Sequence, residues 1–195
     1  MTEHVAWPIR SLALVLGFLL LVAALLVGLT APFSDIVGES RYALPAAIHG
    51  LLSFLYVVVG TIGLYLAWRL LAGRIRAFPD LQLAAVVNAG LSALTILFGN
   101  WIYIHYRAPG PGSPRSFFLE HAPDVHRVWF EFKEFVALFT LPLSVAAAYI
   151  LVVSGSGLLE SRRLRSIVAI LMALSFFYLC LAFGLGAAVT KLKSI

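Results

Sequence analysis

Long uninterrupted apolar runs, separated by short polar segments, are the dominant pattern of this chain. Five such runs fall at about 11–30, 44–71, 81–103, 125–153 and 166–190. Each matches the roughly 20 residues a helix needs to cross the hydrocarbon of a bilayer. Inside lipid an unpaired backbone N–H or C=O finds no water, so runs of this kind must be helical. The runs also lack the alternation of apolar and polar residues that marks a membrane β-strand. The pattern therefore predicts an all-α integral membrane bundle of five transmembrane helices, forming a single transmembrane domain over residues 1–195.

The polar segments sharpen the boundaries. Arg10 precedes the first run and Pro32 follows it. That run is too long for a signal-peptide core and has no small-residue cleavage site after it, which predicts a retained helix. Pro45 opens the second run at a favourable first-turn position. The prolines and glycines of 108–114 break any regular helix. In the fourth span the apolar part is 136–153, yet helical periodicity begins near Asp124, within a charged stretch at 126–134.

Composition agrees. Hydrophobic residues make up 62% of the 195 and charged residues only 12%, with a mean hydropathy of +0.98. A soluble domain carries about a quarter charged residues. The net charge of +5 sits largely in loops, where it meets lipid headgroups and sets topology, so no nucleic acid is expected. The arginine clusters at 69–76 and 162–165 place the N-terminus in the cytoplasm and the C-terminus outside. The expected location is the plasma (inner) membrane of a prokaryote. The lone Cys180 cannot form an internal disulfide, and no Cys-x-x-Cys-His is present for covalent haem attachment.

With this topology His49, His105, His121 and His126 gather at the outer ends of successive helices. Ionisable residues at membrane depth are costly and point to function. Steps of three and four from His49 give Ser53, Tyr56, Gly60, Gly63 and Ala67 on one face. Such a stripe leaves either a groove for a flat macrocycle or a surface for close helix packing, and packing alone accounts for it more simply. Asn88, Ser92, Thr95 and Gly99 form a second stripe suited to interhelical hydrogen bonds. His105 lies off that stripe, with Trp101 and Phe98, in what reads as an interfacial aromatic belt. His126, Phe130 and Lys133 share a face, and Arg127 and Glu131 are spaced for an i, i+4 ion pair.

Three assemblies follow. The first is a membrane electron-transfer subunit that binds a b-type haem near the outer face and exchanges electrons with quinol and an outer redox partner. His49 and His126 are the expected ligands of the haem iron, with His105 as substitute. Arg107 and Arg127, with Arg41 and Arg115, are the expected partners of the haem propionates. Tyr56, Glu131 and Glu134 are the candidates for handling quinol protons, and no catalytic residue is assigned. In this assembly the chain is a subunit of an oxidoreductase complex rather than a stand-alone enzyme. The second is a zinc or copper site built from His49, His105, His126 and a carboxylate, although no helix carries a close His pair. The third is a cofactor-free accessory or scaffold subunit of a larger respiratory or photosynthetic type of membrane complex, in contact with lipid and other subunits. Transport is disfavoured because no pair of interrupted helices is visible. A retinal protein is disfavoured because no lysine is expected deep in a span.

Overall fold

The computed structural model describes residues 42–108, 110 and 113–192. The first expected span, 11–30, lies outside the described residues, as do the loop positions 109, 111 and 112. The chain divides into two compact units, Met1–Leu44 and Pro45–Ile195, and the second holds all but the first two residues of the described helices.

Among the described residues the secondary structure is entirely helical. The long helices are α1 (Ala43–Leu71), α2 (Phe78–Arg107), α4 (Glu131–Ser154) and α5 (Arg162–Leu192), with a short α3 (Pro114–His121) between α2 and α4. A π-helical turn, Val125–Phe130, leads into α4, and a 3-10 turn, Gly155–Glu160, leaves it. Among the described residues four spans are long and apolar enough to cross a membrane: α1, α2, α5 and the continuous stretch Val125–Glu160. The 30 residues of α2 rise about 45 Å, more than the roughly 30 Å of a hydrocarbon core.

Local chemistry explains the helix ends. Gly73, at φ 66°, closes α1: its N–H donates to the Leu70 carbonyl and that of Arg74 to the Arg69 carbonyl. This is a Schellman closure, which needs a residue free to adopt the left-handed conformation. Proline in the first turn of α2 occupies a position where the missing N–H has no helical partner to lose. Pro142 lies inside α4, where it removes one backbone bond. Nearby, the Thr140 and Ser144 hydroxyls donate to the Ala137 and Leu141 carbonyls, the kind of local compensation that lets proline persist in apolar helices.

Helix α4 packs against α2 and α5, while α1 meets α2 and α5 through side chains. Helices α1 and α4 thus occupy opposite corners. At the lower end, where α1 finishes and α2 begins, Leu70, Leu81, Leu151, Leu158 and Val168 form a dry apolar core. Above it lies a polar layer. Ser92 donates to Thr140 at 2.7 Å, Ser175 donates to the Thr140 carbonyl at 3.2 Å, and Tyr56 donates to Ser175 at 3.1 Å. At the upper end Tyr106, Phe118, Phe130 and Val189 make a second cluster, beneath α3. Large apolar side chains such as Leu97, Val153, Ile170 and Phe177 point outward, an exposure suited to lipid rather than water.

Candidate functional site: a cavity in the upper half of the bundle

The stripe on α1 divides between the two roles it suggested. Its lower part packs: a Cβ added at Gly60 would lie 2.9 Å from Phe176 Cδ2, and one at Gly63 would lie 2.8 Å from Asn88 Nδ2. Its upper part, His49, Ser53 and Tyr56, instead faces a cavity of about 690 Å³ between α1, α2, α4 and α5. Cofactor pockets typically measure about 300–1,000 Å³ and are mostly apolar with a few polar groups. This wall is mostly apolar, and small residues keep it wide, among them Gly50, Gly99, Ala137, Ala182 and Gly186. Its polar groups include His49, Lys133, Glu134, Tyr103 and, near the upper end of α5, Lys191.

His49 is held by the stripe on α2. Its Nδ1 lies 2.9 Å from the Thr95 carbonyl oxygen. A carbonyl only accepts, so Nδ1 carries the proton and, in the neutral ring, Nε2 keeps the lone pair. The ring rests on Gly99, where an added Cβ would come within 3.0 Å of Cε1. Metal-binding imidazoles commonly donate their other N–H to a carbonyl or carboxylate, which fixes tautomer and orientation. Interhelical bonding by Ser92 was expected of this stripe; the seat it provides for His49 was not.

The structure separates the other histidines from His49. His126 is buried behind Tyr106 and Phe130 and does not line the cavity. Arg115 Nε–H points at its Nε2 from 3.4 Å, so that nitrogen accepts, and Nδ1 donates to the Tyr106 hydroxyl at 2.8 Å. Both ring nitrogens are therefore engaged. Tyr106 also stacks on Phe130 at 4.0 Å between centroids. His105 is half-buried and off the cavity wall, one turn above the stacked Phe98 and Trp101. His121 is exposed, stacked on Phe117, and donates to its carbonyl. Among the described residues no group of three or more His, Cys, Asp or Glu side chains is placed to hold a metal ion.

The remaining sequence-based candidates also part company. Tyr56 and Glu134 line the cavity, with the Glu134 carboxyl beside the Tyr103 hydroxyl. Glu131 instead sits at the surface in an ion pair with Arg107 at 3.0 Å, and 3.9 Å from His126 Nε2. The i, i+4 spacing pointed to Arg127 as its partner. The ion pair that Glu131 makes is with Arg107, on α2, instead. Arg107 also covers the Tyr103 ring at 4.7 Å. Neither Arg107, Arg115 nor Arg127 lines the cavity, and Arg41 lies outside the described residues; among the described residues the cations that line it are Lys133 and Lys191. Lys133, which reads in sequence as a membrane-boundary charge, enters the cavity about two turns below the start of the π stretch.

Comparison of the chain with protein-family models, with curated proteins and with solved structures finds no match.

Proposed function

We propose that the chain is a multi-pass membrane electron-transfer subunit that holds one b-type haem in the upper cavity, with His49 as an axial ligand. The observation that carries this reading is His49 itself: its Nδ1–H is committed to the Thr95 carbonyl, leaving the Nε2 lone pair available on the wall of a largely apolar cavity. A haem supplies reversible one-electron chemistry there, tuned by its axial ligands and by burial.

The chain's own residues divide the remaining work. Gly99 lets the imidazole lie against α2, and the small residues of α4 and α5 leave width for a flat ring. Lys191, at the end of α5, offers a cation for haem carboxylates at the upper mouth. Glu134 and Tyr56 offer proton-accepting and proton-donating groups on the same wall, as proton-coupled exchange with a quinol requires. The dry core below keeps water out from the lower side.

Haem content of the purified protein, measured as the pyridine haemochrome, tests this directly. About one haem per chain is expected, and none would overturn the assignment.

The arginine-rich loops at the lower end support a cytoplasmic lower face and an outer upper face. In a Cys180→Ala background, Glu120→Cys on exposed α3 is expected to react with an impermeant thiol reagent in intact cells. Reaction only after permeabilisation would reverse the orientation.

A further inference from the structure

His126 has both nitrogens engaged outside the cavity, so it is not the partner of His49 there. Lys133 is placed for that role. It belongs to α4, at the corner opposite α1, and it lines the same cavity as His49. The His49 ring lies tightly on Gly99 of α2, and the Lys133 stem passes Gly186 of α5 at an ordinary contact distance, 3.6 Å from where a Cβ would stand.

Lys133 is half-buried, with its Nζ 5.2 Å from the centroid of the Phe130 ring. The adjacent Glu134 carboxyl lies beside Tyr103 and also interacts electrostatically with Lys133. An amine at membrane depth is costly and points to function. A neutral amine has one lone pair and makes a strong-field ligand for iron.

We propose that the Lys133 amine is the second axial ligand of the haem, opposite His49. This rests on the haem assignment above. Binding forms an N–Fe bond and releases the ammonium proton to solvent or to a neighbouring base, with no change of oxidation state.

Substitution with spectroscopy tests it. The wild-type ferric protein is expected to be low-spin. Lys133→Ala is expected to retain haem through His49 but to become high-spin, and an added primary amine such as ethylamine should restore the low-spin spectrum. A haem-loaded Lys133→Ala protein with an unchanged low-spin spectrum would overturn the Lys133 assignment and leave the haem reading intact. If Lys133→Ala loses its haem, Lys133→Met decides instead. Retained haem with a shifted α-band supports ligation by Lys133, and an unshifted band contradicts it. Haem missing from the wild type would instead remove the reading on which this proposal stands.

Discussion

His49→Ala is expected to purify as a folded helical protein almost devoid of haem. Loss of an outer-shell partner of a metal ligand typically costs about 10–100-fold in affinity, and removing the ligand itself should exceed that. Folding should survive, because His49 belongs to neither packed apolar cluster, and the polar layer bonds through Tyr56, Ser92, Thr140 and Ser175 without it. The ring's departure leaves a space against Gly99, with the Thr95 carbonyl still in place to accept an N–H. Free imidazole at high concentration is therefore expected to restore haem binding to the variant. Haem content by pyridine haemochrome, with and without imidazole, checks both parts. A variant that keeps the wild-type haem content and spectrum would remove His49 from the ligand list.

Tyr106→Ala is expected to produce the largest loss of stability. Tyr106 is 1% exposed, stacks on Phe130, tilts against Phe118 and accepts the His126 N–H. Truncating a buried aromatic costs about 3–5 kcal/mol. Stranding the buried His126 nitrogen adds about 1–3 kcal/mol. Tyr106→Phe keeps the stacking but still strands the His126 N–H, so it should cost only that part, about 1–3 kcal/mol. Since α3 packs on this cluster through Phe118, Tyr106→Ala should also expose α3 to protease before the rest of the bundle. Unfolding in detergent and limited proteolysis measure the two effects. A Tyr106→Ala protein within about 0.5 kcal/mol of wild type would show that the upper cluster does not anchor the helix.

Hydropathy located the membrane-length helices well because bilayer thickness and backbone satisfaction constrain them so tightly. The second run matches α1 to within a residue, while α2 and α5 extend by two to four residues beyond the expected limits, into polar ends that hydropathy undercounts. Which histidines share a cavity was not legible. His49 and His126 both belong near one end of the bundle, but helix rotation about the long axis decides what each faces. The π-helical turn at Val125–Phe130 alters that rotation with no signature in composition. Lys133 shows how a correct local reading can still mislead. Its place on one face with His126 and Phe130 was visible in the spacing, and the ring contacts of Phe130 with both agree. Only the tertiary structure shows that this face runs from the aromatic cluster down into the cavity, so that His126 stays outside and Lys133 goes in.

The most direct test of the account is a dithionite-reduced minus air-oxidised absorption spectrum of the full-length protein, purified gently from its own membrane. A sharp α-band of low-spin haem b, at about one haem per chain, is the predicted result. A featureless spectrum from protein that retains its fold and its native lipid would contradict it, and would leave a cofactor-free subunit of a larger membrane complex as the description of this chain.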